Sequence, residues 1–562
     1  MPKIITEDMI EQAAIKALHE RHNYTVLNCM TEEPDTLPDG TGRKDKKQVV
    51  LPDVMLESLC RINPNIPEQT VRTVVDELCH TPVSGDLMLT NYQNYQKIRN
   101  GITVEYNKDG KKTSNILRLL SYNDALSNTF TVASQMWIKG ETHWRRPDLI
   151  IFINGFPLVF IELKNSNIPV KNAYDINLKN YLKDVPYLFN YNQICVLSNG
   201  METRLGSFAA GYEFFFEWLK VENEKENPDR KAIRESCTSL EYFIAGLCEP
   251  KNLLDYIENF ILYDRRRTKI IAKNHQFFGV NNAYNAFLRR EELKGKLGVF
   301  WHTQGSGKSL SMVFYVHLLQ SALNSPTIVV LTDRNDLDDQ LYLQFAKCSD
   351  FLRQKPVHAE SREHLRSLLE GRKANGIIFT TMQKFEESFE CLSDRRNIVV
   401  MADEAHRGQY GLTEKVDEKS GKIKIGAARV IRNSLPNATY IGFTGTPIST
   451  KDKSTREVFG DYIDIYDMTQ AVEDGATRPV YYESRVLKLK LDEQTLKLID
   501  QEYDRMAENA DAGVIEQSKH QLGKMEAILG NDQTINSLVT DILDHYENNR
   551  ANLLTGKAMI VA

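Results

Sequence analysis

The chain has 562 residues, and at about 150 residues per domain that length predicts roughly three to four domains. Hydrophobic residues make up 41% and charged residues 26% of the sequence, which excludes collagen-like, low-complexity and wholly disordered proteins. Seventy basic and 76 acidic residues give a net charge of -6, so any binding of nucleic acid must come from local basic grooves.

The sequence lacks the signs of a membrane or secreted protein. No apolar run approaches the roughly 18 residues needed to cross a bilayer. The start, MPKIITEDMIEQ, has no basic region followed by an apolar stretch. The eight cysteines include no CxxC pair, so neither a zinc site nor a disulfide framework is predicted. We expect a cytoplasmic protein with no membrane partner.

The amino-terminal third has a mixed pattern of helices and strands. Residues 6–21 predict an amphipathic helix with Thr6 as its N-cap, and the proline- and glycine-containing stretch 32–48 predicts a polar loop. Short strand-like runs follow at 101–106, 116–120, 148–153, 157–163 and 193–198. We expect an α+β domain in which a sheet is flanked by helices.

From about residue 297 the pattern changes to short apolar strands alternating with helices. The strands are LGVFW, TIVVLT, GIIFTT, NIVVMAD and TYIGFTG. Nearly continuous apolar strands separated by helices indicate a parallel sheet covered on both faces, so we predict a doubly wound α/β domain.

A glycine-rich turn follows the first of these strands. The segment TQGSGKS begins directly after the strand and is followed by a helical pattern. Glycines in such a turn let backbone N–H groups approach phosphates, the lysine reaches the β- and γ-phosphates, and the serine ligates Mg²⁺. His302 stands where the general pattern has glycine. The turn predicts an ATP site formed by Thr303, Gly305, Ser306, Gly307, Lys308 and Ser309.

Two acidic residues follow a later apolar strand, NIVVM. Asp403 and Glu404 lie 95 and 96 residues beyond the lysine of the glycine-rich turn. A carboxylate at the end of a strand beside the phosphate loop can hold Mg²⁺, and the next carboxylate can orient or deprotonate the attacking water. We assign the metal to Asp403 and the general base to Glu404.

A second acidic constellation lies in the segment RRPDLIIFINGFPLVFIELKN. Glu162 and Lys164 are two apart on a predicted strand, so their side chains share a face. A three-residue or bulged turn around Asn154 would place Asp148 directly opposite Glu162, whereas a simple two-residue loop would turn Glu162 away. We predict the former.

Two carboxylates and a lysine in this arrangement predict metal-assisted chemistry. Asp148 and Glu162 can bind a divalent metal, while Lys164 orients a water or stabilises a pentavalent phosphate. The alternative is an ordinary surface hairpin. Glu11, Glu20 or another early acidic residue could complete the metal site.

The order of the motifs resembles superfamily 2 helicase-type ATPases. The resemblance implies that Thr444 and Thr446, in TGTP, couple the nucleotide state to DNA. Segments 327–337 and 377–385 resemble DNA-facing motifs, and the segment KIIAKNHQFFGVNNA resembles the one that contacts adenine. The residues so implied are Arg334, Thr380, Thr381 and Gln383 for the DNA backbone and Gln276 for adenine. The alternative for Gln276 is an ordinary helical glutamine.

The segment around Glu162 resembles the PD-(D/E)xK nuclease core. With the ATPase motifs it makes the chain resemble restriction (R, HsdR) subunits of type I restriction-modification enzymes, through FIELKN, WHTQGSGKSL, DEAHRGQYG, GFTGTPI and TQAVEDGATRPVYYE. That family has Q-x-x-x-Y after the nuclease lysine. Here Tyr181 matches the tyrosine, and Asn177 replaces the glutamine.

The resemblance implies an ATP-dependent DNA translocase and endonuclease that uses ATP and Mg²⁺. Its partners would be double-stranded DNA and the methyltransferase (M) and specificity (S) subunits. The implied domains are an endonuclease-like domain at 1–260, a first RecA-like ATPase domain at 261–475, and a helical linker with the start of a second RecA-like domain at 476–562. Because an arginine finger would lie beyond residue 562, we expect this chain to bind Mg-ATP but hydrolyse it poorly.

Two other functions fit the motifs. One is a repair or remodelling translocase whose amino-terminal domain is a clamp that does not cut DNA. The other is an assembly module for which ATP is structural. The basic run formed by 265–267, Lys269 and Lys273 predicts either a phosphate contact or a solvated helix face.

Overall fold

The computed structural model describes residues 5–80, 85–108, 110–223, 225–322, 325–332, 335–386, 391–405, 415–416, 423–424, 427–446, 456, 458–479, 532–549 and 559. The chain forms two compact units, Met1–Arg478 and Pro479–Ala562. Within the second unit the structure describes the helix Asp532–Asn549. The end of the chain that was predicted to begin a second RecA-like domain lies outside the described residues, except Met559.

A seven-stranded mixed sheet organises the amino-terminal part. Its strand order is β1-β4-β7-β8-β9-β10-β11, with parallel pairs at β1–β4 and β8–β9 and antiparallel pairs elsewhere. The central strands β7 and β8 are buried along their whole length. The strands of this part are β1 (Thr25–Asn28), β2 (Ile102–Lys108), β3 (Lys111–Leu117), β4 (Phe130–Ser134), β5 (Ile138–Lys139), β6 (Trp144–Arg145), β7 (Leu149–Ile153), β8 (Phe156–Leu163), β9 (Ile194–Ser198), β10 (Thr203–Gly206) and β11 (Phe216–Glu217).

Helices cover this sheet, as the α+β prediction requires. The first helix begins where predicted, because the side chain of Thr6 accepts a hydrogen bond from the backbone N–H of Met9. It buries Ile10, Ala14 and Leu18 in the core. The helices of this part are α1 (Glu7–His22), α2 (Pro52–Ile62), α3 (Glu68–Cys79), α4 (Leu87–Asn100) and α5 (Lys179–Asp184), which follows a π-helical turn at Ala173–Leu178. The strand predicted at 116–120 was misplaced, since the observed strand, β3, begins at Lys111 and ends at Leu117.

The loop predicted at 32–48 contains neither helix nor strand, yet it is tightly held. Its centre is the buried carboxylate of Asp39, which pairs with Arg43 at 2.6 Å and with Lys46 at 2.7 Å. All three side chains are at most 3% exposed. The salt bridges lower the pKa of Asp39 against the opposing effect of burial, through its contacts with Lys46, Thr41 and Arg43. Composition alone gave no sign of this buried cluster.

Three helices and a hairpin connect the two sheets: α6 (Arg230–Ser236), α7 (Ser239–Gly246), α8 (Pro250–Asn259), β12 (Ile261–Asp264) and β13 (Thr268–Ile271). The basic run, predicted to be either a phosphate contact or a solvated helix face, occupies this hairpin and the residues after it, so the helix face was wrong. Arg266 pairs with Asp350 at 2.8 Å. Lys269 is buried and donates to the carbonyl of Asn192 at 2.5 Å, and burial lowers its pKa well below the usual value. Lys269 therefore braces two parts of the fold.

The second sheet has the order β16-β17-β15-β18-β21-β14-β22, and every strand pair in it is parallel. Successive residues of β15 enter different cores, Ile328 and Val330 on one face and Val329 and Leu331 on the other. This alternation confirms a parallel sheet covered on both faces. The strands are β14 (Lys296–His302), β15 (Thr327–Thr332), β16 (Val357–His358), β17 (Ile377–Thr381), β18 (Ile398–Ala402), β19 (Lys415–Val416), β20 (Ile423–Lys424), β21 (Thr439–Thr444) and β22 (Tyr462–Tyr466), with β19 and β20 forming a separate hairpin.

The helices of this second part are α9 (Asn274–Leu288), α10 (Lys308–Ser321), α11 (Asn335–Lys347), α12 (Ser349–Leu352), α13 (Arg362–Glu370), α14 (Gln383–Glu386), α15 (Ala427–Ser434) and the short helix Met468–Glu473. Among the described helices of the whole chain, none is long and apolar enough to cross a membrane. The cysteines are all free thiols.

Candidate functional site

The hairpin formed by β7 and β8 has the register predicted from the sequence. Its loop is Asn154 and Gly155, with φ angles of 50° and 80°, as a type I′ turn requires. A bulge beside Ile151 then shifts the pairing, so that Leu149 lies opposite Ile161. The predicted register is confirmed. The extra residue lies in the strand ladder, however, and the alternative of a three-residue loop was wrong.

This register brings Asp148 and Glu162 together. Asp148 Oδ2 accepts a hydrogen bond of 2.7 Å from the backbone N–H of Leu163, the residue after Glu162. Lys164 Nζ lies 3.2 Å from Glu162 Oε1 and 3.6 Å from a carboxylate oxygen of Glu7. Glu162 is 3% exposed, and its Oε2 has no hydrogen-bond partner. The three residues predicted from the sequence thus form one polar cluster in which Glu162 is buried and Asp148 and Lys164 are partly buried.

Helix α1 contributes a further carboxylate to this cluster. Glu11 is buried, and its side chain accepts a hydrogen bond from Gln135 Nε2, which also lies 3.5 Å from Asp148 Oδ1. Glu20, the other early acidic residue considered, is exposed and lies 3.9 Å from Lys16. Gln135 was not predicted, because no local sequence pattern connects the end of β4 with a strand begun 14 residues later.

The segment after β8 brings an amide to the cluster. Asn177, which replaces the glutamine of the resembled motif, donates from Nδ2 to Glu162 Oε1. It lies in the π-helical turn Ala173–Leu178, a wider winding than the α-helix that is often found at functional sites. Tyr181 is buried beside the same carboxylate and packs edge-on against Phe160. The shorter amide therefore reaches Glu162 in this chain.

Burial controls the charge of these carboxyl groups. Burial and, to a smaller extent, the neighbouring Asp148 raise the pKa of Glu162 to about 8 against the opposing effect of Lys164. Burial also raises the pKa of Glu11 to about 7 and the pKa of Asp148 above its usual value. Burial lowers the pKa of Lys164, but the surrounding carboxylates outweigh it and the net shift is upward. Because burial makes the charged carboxylates costly on their own, a hard divalent cation bound to their oxygens would stabilise that charge.

The residues present fit a Mg²⁺ ion that is partly coordinated by water and substrate better than they fit a metal ion coordinated by protein side chains alone. Among the residues that the structure describes, no group of three or more His, Cys, Asp or Glu side chains is arranged to hold a metal by itself. Mg²⁺ is commonly bound through one or two carboxylates, with water and substrate phosphate as the other ligands. The unpartnered Oε2 of Glu162 and the nearby Asp148 supply such carboxylate oxygens.

The phosphate loop follows β14 and leads into α10. Gly305 and Gly307 have φ angles of 81° and 87°, which favour glycine and expose the backbone N–H groups. Ser306 Oγ donates to the carbonyl of Thr303 at 2.6 Å. The predicted residues Lys308 and Ser309 begin α10. This geometry has the strand, turn and helix order expected of a nucleotide-binding loop.

Two adjacent residues of α9 contact backbone carbonyl groups of the phosphate loop. Gln276 accepts a hydrogen bond from the backbone N–H of Lys273 at 2.9 Å and donates to the carbonyl of Gly307 at 3.1 Å. His275 Nε2 lies 2.8 Å from the carbonyl of Ser306. An adenine contact by Gln276 stays a prediction. His275 was not predicted as a site residue, although its position next to Gln276 in the sequence could have indicated it.

His302 occupies the position where the general phosphate-loop pattern has glycine. It is fully buried, and its Nε2 lies 2.7 Å from Asp464 Oδ2 on β22. Asn282 donates to the other oxygen of Asp464 at 3.0 Å. The histidine therefore fixes the end of β14 to the neighbouring strand.

The acidic pair after β18 lies near the phosphate-loop lysine. Burial lowers the pKa of Lys308, while Asp403 and Glu404 oppose that effect. Asp403 Oδ1 accepts from the backbone N–H of Glu404, whose φ of 49° is in the left-handed region. A Cβ on Gly445 would lie 2.8 Å from Lys308 Nζ, so the segment after β21 also reaches this lysine.

Four of the residues predicted for coupling and DNA contact, Thr380, Thr381, Thr444 and Thr446, lie at or just after the carboxyl ends of β17 and β21. Thr444 Oγ1 accepts from the backbone N–H of Thr446 at 3.2 Å, which stabilises the turn after β21. Thr380 and Thr381 are buried at the end of β17, whereas Gln383 is exposed. Arg334 lies outside the described residues.

A parallel sheet with a phosphate loop after β14 and an acidic pair after β18, one strand further along the sheet than the adjacent β21, defines a helicase-like ATPase domain. It follows a mixed sheet that carries buried carboxylates. Residues 275–515 match the family model described as SWI2/SNF2 ATPase, and residues 4–214 match the one described as Type I restriction enzyme R protein N terminus. The amino-terminal part of the chain is therefore similar to type I restriction enzyme R proteins, and the part after it is similar to SWI2/SNF2 ATPases.

Individual relatives carry related names. The chain is 39% identical over 539 residues to the type I restriction enzyme HindI endonuclease subunit of Haemophilus influenzae, which covers 92% of this chain and 49% of the relative. It is 33% identical over 590 residues to a Methanocaldococcus jannaschii protein provisionally named as the type I restriction enzyme MjaIXP endonuclease subunit, over 100% of this chain and 53% of the relative. The chain thus spans about half the length of these curated relatives.

A solved HsdR fragment from Vibrio vulnificus YJ016, provisionally assigned to a type I restriction enzyme, is 16% identical. The match covers 75% of this chain and 71% of that chain, with a TM-score of 0.27.

Proposed function

We propose that this chain is part of an ATP-driven DNA translocase and endonuclease subunit of a type I restriction enzyme. In that assembly, methyltransferase and specificity subunits would recognise the DNA site, and this subunit would move along double-stranded DNA and cut it. The similarity to the two family models and the buried cluster at Glu162 support the proposal. The carrying observation is that this carboxylate contacts Lys164 and keeps an unpartnered oxygen although it is 3% exposed.

The domain at 1–260 is proposed to be a nuclease of the PD-(D/E)xK type. Asp148 and Glu162 would hold Mg²⁺, which when bound supplies Lewis-acid stabilisation of the cleaved phosphodiester. Lys164 would orient the attacking water or stabilise negative charge on the phosphate. Glu11 holds a proton near neutral pH, because burial raises its pKa to about 7, and it can exchange that proton with water near the cluster.

Asn177 and Tyr181 are proposed to position Glu162. The amide of Asn177 donates to Glu162 Oε1 and thereby favours the charged carboxylate that a metal requires. Tyr181, packed against Phe160, brings its hydroxyl to the Glu162 carboxyl group and opposes the rise of its pKa. Through these contacts Asn177 would position Glu162, the role proposed for the glutamine of the Q-x-x-x-Y motif.

The domain at 261–475 is proposed to be the motor. Thr303, Gly305, Ser306 and Gly307 would present backbone groups to the phosphates, and Lys308 would contact the β- and γ-phosphates. Ser309 and Asp403 would hold the Mg²⁺ that accompanies ATP. Glu404 would orient and deprotonate the attacking water. Thr381, Thr444, Thr446 and Arg334 would connect the nucleotide state with DNA, and Gln276 would contact adenine.

The decisive experiment uses the full-length protein with its methyltransferase and specificity partners. The substrate is circular DNA with one unmethylated recognition site, and Glu162→Ala is compared with the native complex. ATP-dependent cutting that the substitution abolishes, with ATP consumption continuing, supports a nuclease at Asp148, Glu162 and Lys164. ATP consumption without cutting in the native complex supports a non-cleaving translocase instead.

A parallel substitution separates a motor from a structural nucleotide site. Replacing Glu404 by Gln should stop ATP hydrolysis and translocation while leaving nucleotide binding in place. If the variant retains the whole activity of the complex, ATP serves as a structural ligand and the motor proposal fails.

A further inference from the structure

We propose that Arg230, on α6 between the two sheets, is a positioning residue for nucleotide at the phosphate loop. The proposal rests on the proposed ATP-binding function. It adds that a side chain outside the nucleotide-binding motifs sets the affinity of that site. The basis is a continuous set of contacts from Arg230 to the backbone of the loop.

The first contacts join His275 and Tyr466 to the backbone of the phosphate loop. His275 Nε2 lies 2.8 Å from the carbonyl of Ser306, and the ring of His275 stacks on Tyr466 with centroids 3.9 Å apart and planes 10° apart. The backbone carbonyl of Tyr466 accepts from the N–H of Thr303 at 2.9 Å. Tyr466 therefore supports the loop both through its backbone and through a stacked ring.

The next contacts lead from Tyr466 to Arg230. The hydroxyl of Tyr466 donates to Asp474 Oδ2 at 2.8 Å. The other oxygen of Asp474 accepts from Arg230, whose second terminal nitrogen donates to Glu217 on β11. The side chains of Arg230, Asp474 and Glu217 are 21%, 12% and 8% exposed, so water screens these ion pairs much less than it screens pairs on an open surface.

Asp474 begins a short segment that lies against the phosphate loop. A Cβ on Gly305 would be 3.9 Å from Thr477 Oγ1, so this hydroxyl is next to the loop backbone. The backbone N–H groups of Ala476 and Thr477 both donate to the carbonyl of Ala471. The segment is thus fixed at one end by these bonds and at the other by the ion pair of Asp474 with Arg230.

Substitution of Arg230 removes the cation of its ion pair with Asp474. Lys273 also acts on Asp474 electrostatically, whereas Arg230 donates to it directly as an ion pair. A largely buried carboxylate without its partner is costly, so Asp474 is expected to turn towards water and to move the segment and Tyr466 with it. The phosphate loop would then lose preorganisation for nucleotide.

The test measures the dissociation constant of Mg-ATP for the chain and its variants by calorimetry. Arg230→Gln and Asp474→Asn are each expected to weaken binding about tenfold, within the range usual for coupled sites. The double variant should bind like either single variant, because both remove the same interaction. Arg234→Gln is the matched control, since Arg234 lies on the same helix 3.9 Å from Glu217 and is 55% exposed.

A second measurement guards against a merely destabilised variant. Hydrogen exchange of α6 should slow on addition of Mg-ATP in the native chain and in Arg234→Gln, and not in Arg230→Gln. Native affinity in Arg230→Gln, or exchange of α6 that nucleotide leaves unchanged in the native chain, would overturn the proposal. Failure of the native chain to bind Mg-ATP would instead refute the proposed ATPase function.

Discussion

Replacing Glu162 by Gln should stabilise the metal-free protein at neutral pH. The carboxyl group of Glu162 is buried, and its pKa is raised from 4.5 to about 8. The folded chain therefore holds this proton more tightly than the unfolded chain does. The free energy of unfolding consequently falls as pH rises from 4.5 to about 8 and is constant above that range, as far as this group is concerned.

The size of the effect follows from the shift. One pKa unit corresponds to about 1.4 kcal/mol. Relative to pH below 4.5, ionisation of Glu162 therefore lowers the free energy of unfolding by about 3 kcal/mol at pH 7 and by about 5 kcal/mol above pH 8. Glutamine has a similar shape, carries no charge and can still accept from Asn177. Glu162→Gln should therefore recover most of that loss near neutral pH and almost none of it at pH 4.5.

Urea unfolding in the presence of a chelator, at several pH values between 5 and 8, measures this difference. Glu20→Gln is the control, because Glu20 is exposed on α1 and its substitution should change stability by no more than about 0.5 kcal/mol. A pH-independent difference, or destabilisation by Glu162→Gln at pH 8, would refute the reasoning. It would mean that the carboxylate is charged and stably paired when no metal is bound.

Three further predictions concern other parts of the chain. Asp39→Asn should lower the free energy of unfolding by about 3–5 kcal/mol, because it leaves Arg43 and Lys46 buried without their anion; unchanged urea unfolding would contradict this. Glu404→Gln should lower the rate of ATP hydrolysis by about 10²–10⁴-fold in the full-length protein with Mg-ATP affinity retained, and equal loss of both would contradict a role as base. Asn177→Ala removes a donor from the Glu162 carboxylate, so it should move the acidic limb of the pH–rate profile for DNA cleavage to higher pH; an unshifted profile with reduced cleavage would indicate another role.

The sequence by itself determined the elements whose cause is local. The parallel strands followed from short apolar runs, and the phosphate loop followed from glycines at positions that require positive φ. The opposition of Asp148 and Glu162 followed from strand alternation and from the extra residue predicted in this hairpin, which lies in the strand ladder beside Ile151. In each case the residues that decide the geometry are near one another in the chain, so spacing carries the information.

The tertiary structure decided the contacts between distant segments. Glu11 reaches the cluster at Asp148 because α1 packs beside the sheet, and the basic side chain of Lys269 is buried because its hairpin packs against Asn91 and Asn192. Arg230 meets Asp474 across 244 residues. No periodicity or turn preference connects such pairs, since packing of whole elements brings them together. The sequence therefore predicted which groups could act, and the fold decided which of them meet.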